Sequence, residues 1–292
     1  MDFPSPFDIL EPKGPLGPLV FNSPHSGAVY PEHFLRQSKL DALNLRRSED
    51  CHVDALFADA PLWGAPLMRA HFPRAFLDVN REAYELDPRM FEGRLPAFAN
   101  TRSLRVAGGL GTIPRLVGDA HEIYARRIPA GEALERIERL YKPYHRALQG
   151  LIDRARDAFG LAVLIDCHSM PSGAGGRDDE KTPRADFVLG DRYGTSAAAR
   201  IVDCIEAALR GAGYLVHRNK PYAGGFITEH HGNPRSGSHA VQIEICRALY
   251  MDERTLECSP GFDKVRRDLS GMIGALAALV QAETGERRLA AE

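Results

Sequence analysis

The chain has 292 residues, 44% of them hydrophobic and 26% charged, with a formal net charge of -2. These values suit an ordinary globular protein, one large α/β domain or two smaller ones, and supply no electrostatic case for binding nucleic acid or an anionic membrane. No apolar run approaches the roughly 20 residues that span a bilayer.

The opening MDFPSPFDILEP has neither a basic n-region nor an apolar h-region, so no signal peptide is expected. Residues 1–18, rich in Pro and Gly, are expected to wrap the surface. Leu19 to Asn22 reads as a short strand that runs into Ser23-Pro24-His25-Ser26-Gly27. A Pro and a Gly bracketing a histidine demand a tight turn. Leu40 to Ala58 carries Leu43, Val53, Leu56 and Phe57 at helical spacing, interrupted by Arg46-Arg47-Ser48-Glu49-Asp50. Pro66 to Ala70 and Ala75 to Val79 are predicted as strands, the second carrying Asp78 and running into Asn80 and Arg81. Residues 86–120 show no periodicity, and a loop of that length is often an active-site cover. Its Gly108-Gly109-Leu110-Gly111 is not read as a phosphate loop, because no Lys-Ser/Thr follows and no strand–helix context surrounds it.

Gly131 to Phe159 is the clearest helix, with one apolar stripe from Leu134 to Phe159. Pro143 is expected to kink or split it, and Gly160 to end it. Ala162 to Ser169, AVLIDCHS, then reads as a buried parallel strand that turns abruptly polar. Asp186 to Leu189 is a strand and Thr195 to Leu209 an amphipathic helix. Tyr214 to His217 is a strand, Asn219 to His239 a glycine-rich loop, Ala240 to Cys246 the last strand, and Phe262 to Ala282 a terminal helix. This alternation predicts an α/β fold with helices on both faces of a sheet, organised as a single domain over 1–292. Five scattered cysteines with no CxxC pair suit reduced thiols in the cytosol.

In open α/β sheets the chemistry lies beyond the carboxyl ends of the strands, which is where His168 falls. His25, the Glu49/Asp50 pair and His168 are candidate metal ligands, since two imidazoles and one carboxylate form a recurrent catalytic zinc set. His52, His230 and His231 compete for the same role. Asp166, two residues before His168, shares its strand face and is placed to orient the imidazole. Glu244 lies in the apolar strand Val241 to Cys246, on the face opposite Val241, Ile243 and Ile245. It is either a structural partner of an arginine such as Arg247 or a general base. Arg81 is a candidate anion binder through its fork of donors, against the alternative of an ion pair with Glu82 or Glu85; Arg74 is a second. Cys167 and His168 are strand neighbours on opposite faces, so they do not form a nucleophilic pair.

The ordered set Ser23-Pro24-His25-Ser26-Gly27, Glu49-Asp50-Cys51-His52-Val53-Asp54, Leu77-Asp78-Val79-Asn80-Arg81, Tyr141-Lys142-Pro143-Tyr144-His145, Asp166-Cys167-His168-Ser169, Gly225-Phe226-Ile227-Thr228-Glu229-His230 and Gln242-Ile243-Glu244 resembles the N-formylglutamate amidohydrolase family. That family is similar to the zinc carboxypeptidases. The resemblance implies a three-layer α/β fold, a central mixed, mostly parallel sheet flanked by helices, and one catalytic Zn2+ on His25, His168 and Asp50 or Glu49, Asp50 being favoured by its context. It implies Glu244 as the residue that activates water, and Asn80 with Arg81 on the substrate carboxylate; Arg74, on the same segment, and His230 are the next candidates for substrate contact. The expected activity is hydrolysis of N-formyl-L-glutamate, with a related N-acyl amino acid deacylase, a carboxypeptidase-like hydrolase or a degenerate metal-free binding protein as alternatives. The expected partner is a small N-acyl amino acid in the cytoplasm, with no nucleic acid and no membrane; the sequence does not specify an oligomeric state.

Overall fold

The computed structural model describes residues 3, 5–174 and 184–291. Its main sheet has seven strands: β1 (Phe7–Leu10), β2 (Leu19–Ser23), β3 (Leu67–Ala70), β4 (Ala162–Met170), β5 (Phe187–Gly190), β6 (Val216–Arg218) and β7 (Ser238–Cys246). Their order is β1-β3-β2-β4-β7-β5-β6. The β2–β4, β4–β7 and β5–β6 pairs are parallel, and only β5 runs against β7 among the paired registers. The sheet is therefore mixed and mostly parallel, flanked by helices. All nine residues of β4 are buried, as expected of a parallel strand covered on both faces.

Residues 9–23, 52–68 and 149–292 form one compact unit, and residues 1–8, 24–51 and 69–148 another. In the first, the helices Val53–Leu56 and Ala199–Gly211 pack on the terminal helix Phe262–Ala291, and the short helix Phe226–His231 packs on β4 and β7. In the second, Phe34, Phe72, Phe76 and Tyr144 build an aromatic core. The buried Arg136 guanidinium lies 3.7 Å from the centre of the Phe76 ring.

The long helix begins at Ala130–Arg136 and resumes as Lys142–Phe159. Between them Ile137–Tyr141 forms one wide turn, in which the Lys142 N–H reaches back to the Ile137 carbonyl. Pro143 has no N–H for the Arg139 carbonyl and would collide with it in a regular helix. The wide turn absorbs that conflict without breaking the helix. Gly160, at φ 67°, closes it in the left-handed region that glycine tolerates.

Several expectations need correction. Ala75 to Val79 is no strand but a buried irregular segment, its carbonyls taken by side chains: Arg136 donates to Phe76 O at 3.0 Å and His145 to Val79 O at 2.8 Å. Leu40 to Ala58 folds as two short helices, Ala42–Arg46 and Val53–Leu56, separated by a turn that ends with His52 at φ 64°. Residues 1–18 include β1, and residues 86–120 contain the capped helix Leu104–Ala107. The glycine-rich stretch 219–239 contains the helix Phe226–His231. Among the described residues no helix is long and apolar enough to cross a membrane, and no disulfide joins the five cysteines.

Candidate functional site

Three parallel strands set out one part of the site. In register, Asn22 on β2 pairs with Asp166 on β4, which pairs with Gln242 on β7. Two residues onward, His168 pairs with Glu244. Register partners share a face, and residues two apart along a strand return to it. All five polar side chains therefore stand on one face, in two adjacent rungs near the carboxyl ends of β4 and β7. Ile165, Cys167, Ile243 and Ile245 alternate to the other face. Every one of these residues is buried.

Buried polar groups need partners, and here the partners are mutual. Asn22 Nδ2 donates to Asp166 Oδ1 at 2.8 Å, and the other oxygen, Oδ2, lies 2.9 Å from His168 Nε2. The Gly225 N–H donates to Gln242 Oε1 at 2.7 Å, which turns the carboxamide so that Nε2 donates to Glu244 Oε1 at 2.8 Å. Gly190, the register partner of Gln242 on β5, has no room for a side chain: a Cβ there would stand 2.6 Å from Gly224 N. That close approach lets the 223–225 backbone cross the sheet face and reach Gln242. Arg247 Nε donates to Ser169 Oγ at 3.0 Å.

The second set of side chains lies in residues 24–81. His25 sits in the turn after β2, where Gly27 is required because a Cβ would fall 2.1 Å from the Phe72 carbonyl. The Asp50 backbone is tied to this turn: its N–H donates to His25 O at 2.9 Å, and Ser26 Oγ donates to its carbonyl at 3.2 Å. As a result Asp50 Oδ2 lies 3.3 Å from His25 Nδ1. The other ring nitrogen, Nε2, is 2.8 Å from Asp78 Oδ1. Asp78 also accepts from the Asn80 N–H at 2.9 Å and from Arg74 Nε at 3.0 Å, and Arg81 stands 3.4 Å away. Burial acts to raise the Asp78 pKa, but Arg74, Arg81 and His25 together outweigh it and hold the carboxyl well below the usual carboxylate range.

One ligand atom each from His25, Asp50 and His168 lies within 4.8 Å of the other two. All three residues are buried. Two imidazoles and a carboxylate can hold one divalent ion. In both histidines a carboxylate engages Nε2, so Nδ1 is the nitrogen that could serve an ion. A carboxylate on the far nitrogen is the usual support of a metal-bound imidazole.

The remaining candidates are placed as follows. Glu49 accepts from Tyr30 Oη at 2.5 Å, from Arg46 Nε at 3.2 Å and from Cys51 Sγ at 3.2 Å, so its carboxylate is held in a separate cluster. His52 Nε2 lies 2.9 Å from Leu256 O, and His231 Nδ1 lies 3.1 Å from Gln149 Oε1. Arg81 is buried and directs Nε to Leu110 O at 2.7 Å and an amino group to Asn80 O at 2.8 Å. Burial pulls its pKa down, with Asp78 opposing. Arg74 is more exposed than Arg81. His230 is exposed on the helix Phe226–His231 and stacks on Phe226 at 5.0 Å. Sequence reasoning missed three supports: Asp78 behind His25, Asn22 behind Asp166, and Gln242 behind Glu244. The alternation that isolates Glu244 on its face also places Gln242 there, which is the signal that was available. The motif at Tyr141 to His145 acquires a role as well, because Tyr141 Oη donates to Arg81 O at 2.6 Å and His145 to Val79 O at 2.8 Å. Together they fix the backbone that follows Asp78.

The N-formylglutamate amidohydrolase family model matches residues 17–251. The chain is 29% identical over 239 residues to the N-formylglutamate deformylase of Pseudomonas putida, an alignment covering 81% of this chain and 82% of that protein. It is similar to the crystal structure of N-formylglutamate amidohydrolase from Ralstonia eutropha JMP134, with a TM-score of 0.90, 38% identity, and coverage of 96% of this chain and 99% of the other. The gene product Atu2144 of Agrobacterium tumefaciens shares the fold at a TM-score of 0.63 and 18% identity, covering 95% of each chain.

Proposed function

The chain belongs to the N-formylglutamate amidohydrolase family, and from that premise we propose that it is a zinc amidohydrolase that cleaves N-formyl-L-glutamate to L-glutamate and formate. The observation that carries the reading is the buried His25, Asp50 and His168 group, with Glu244 the register partner of His168. Two imidazoles and a carboxylate suit zinc and leave a coordination position for water or substrate. Zinc in such a set supplies Lewis acidity toward the formyl carbonyl and lowers the pKa of water.

The chain's own residues do the rest. Asp78 and Asp166 each accept the Nε2 proton of a histidine, fixing both rings with Nδ1 as the lone-pair nitrogen. Glu244 takes a proton from the attacking water and delivers it to the amide nitrogen as the carbon–nitrogen bond breaks. The amino acid leaves as the amine, and the formyl carbon leaves as formate. Gln242 donates to one Glu244 oxygen and so fixes the orientation of the carboxylate for that transfer. Arg74, Arg81 and Asn80 supply the polar ground for the substrate α-carboxylate, and His230 is a further contact. The active chain is one amidohydrolase domain over 1–292, working in the cytosol on a small N-acyl amino acid; the family match runs through both compact units, which supports that reading.

The test is direct. The purified protein is assayed for metal content by plasma mass spectrometry and for release of formate from N-formyl-L-glutamate, N-formyl-L-leucine and N-acetyl-L-glutamate. About one zinc per chain and preference for N-formylglutamate are expected. A protein that binds no metal, or a zinc-loaded protein that releases no formate, overturns the reading.

A further inference from the structure

N-formylglutamate carries two carboxylates, and Arg81 is largely committed to Leu110, Asn80 and Asp78. With Arg74 and Arg81 both engaged by Asp78 and assigned to the α-carboxylate, a further cation is needed for the side-chain carboxylate, and residues 190–229 supply one. After β5 the chain makes a turn in which Arg192 and Tyr193 both adopt left-handed backbone, at φ 53° and 57°. Two successive non-glycine residues in that region are strained. The turn is nevertheless fixed from every side. Asn219 Oδ1 accepts from the Asp191 N–H at 3.1 Å and the Tyr193 N–H at 3.2 Å, and Asn219 Nδ2 donates to Asp191 Oδ1 at 2.7 Å. Asp191 Oδ1 also accepts from the Gly194 N–H at 3.0 Å, and Thr195 Oγ1 donates to Arg192 O at 2.7 Å. The Arg192 N–H donates to Ala223 O at 2.8 Å. Strain of this kind persists only where the surroundings over-determine it, and these bonds do so. Their common effect is to fix the place from which the Arg192 side chain departs.

That side chain ends beside the proposed catalytic strand assembly. One Arg192 amino group donates to Gly224 O at 3.3 Å, and the next residue, Gly225, holds Gln242, which holds Glu244. The other amino group is 2.8 Å from Glu229 Oε2, with the arginine side chain 33% exposed and the glutamate 58%. Exposed ion pairs of this kind contribute little to stability, so the pair is readily exchanged. Beside it, fully buried and one turn into the same helix, Thr228 Oγ1 has no hydrogen-bond partner among the described residues.

We infer that Arg192 recognises the side-chain carboxylate of the substrate, and that Glu229 is an internal carboxylate holding its place until substrate displaces it. This rests on the deformylase reading. A guanidinium fork matches a carboxylate with two parallel donors, and Glu229 already demonstrates that a carboxylate reaches one of them. The recognised class is an N-acyl amino acid whose side chain ends in a carboxylate, against its carboxamide counterpart.

The experiment compares kcat/KM for N-formyl-L-glutamate and N-formyl-L-glutamine in the zinc-loaded wild type, Arg192→Gln, Arg192→Lys and Glu229→Gln. Isothermal titration with L-glutamate and L-glutamine runs alongside. Arg192→Gln should collapse the glutamate-to-glutamine preference about 10- to 100-fold, the range of hydrogen bonds to a charged group. Arg192→Lys should restore only part of it, since lysine lacks the fork. Glu229→Gln should lower KM for N-formylglutamate about two- to fivefold by removing a weak competitor. If Arg192→Gln slows both substrates equally, or leaves the preference intact, the inference is overturned while the deformylase reading stands. If the wild type hydrolyses neither compound, the deformylase reading fails. The titrations then decide alone: loss of the glutamate-over-glutamine preference in Arg192→Gln supports Arg192, and its persistence overturns it.

Discussion

Asp78 Oδ1 stands 2.8 Å from His25 Nε2, and Asp166 Oδ2 stands 2.9 Å from His168 Nε2. The two histidines of the candidate centre thus have the same support, built from unrelated segments. In the first pair Arg74 and Arg81 keep the carboxylate charged; in the second Asn22 fixes it.

Asp78→Asn keeps the shape and removes the charge behind His25. Zinc affinity should fall about 10- to 100-fold, the usual effect of losing such a support. Competition with a chromophoric chelator measures it. Unchanged affinity would make Asp78 an anchor of the turn alone.

Glu244→Gln should lower kcat by at least about 10²-fold, as for loss of a general base, with zinc stoichiometry unchanged. Formate release and metal content on the same preparation check both halves. Near-normal turnover returns Glu244 to a structural role.

Zinc that binds only the folded chain must raise its melting temperature as free zinc rises. Chelation should lower the transition and zinc should restore it. His168→Ala should abolish the zinc-dependent shift. A shift that survives in His168→Ala places the ion elsewhere.

Asp87 gives a pH signature of its own. Burial acts to raise its pKa, but bonds from Arg89 and Arg115 prevail and the pKa is lowered. A depressed carboxylate contributes stability above its unfolded value, about 3.9, and loses it as pH falls through the folded value. Asp87→Asn should therefore cost up to about 1 kcal/mol at neutral pH, because solvent screens the exposed Arg89, with the gap to wild type closing below about pH 4. Denaturant melts across that range measure it; a gap that stays constant in acid refutes the assignment.

The parts legible in the sequence were those with one local cause. The apolar run into Asp166 and His168 marked β4, and the alternation around Glu244 marked β7. The helix expected over 131–159 followed from its stripe, and the kink or split expected at Pro143 takes the form of a wide turn just before it. Ala75 to Val79 misled because burial without a ladder looks the same in sequence as burial within one; its carbonyls bond to Arg136 and His145, which lie 60 and 66 residues away. Asp78 was visible as a strand-end residue but not as the partner of His25, 53 residues earlier, because no local spacing encodes that meeting. His168 and Glu244 came from pattern, whereas His25 and Asp50 drew their weight from the family resemblance.

The pairing of His168 with Glu244 and of Asp166 with Gln242 makes parity the quantity that strands β4 and β7 must preserve. A displacement of one residue in either strand is not a small error. It exchanges His168 for Cys167 or Ser169, and Glu244 for Ile243 or Ile245, on the face that carries the candidate site. No half-step exists between those outcomes, so the assembly behaves as an on-or-off device toward inserted or deleted residues while yielding gradually to substitutions. Length changes in this lineage should therefore collect in the connections, and those within 162–168 or 238–244 should come in twos or not at all.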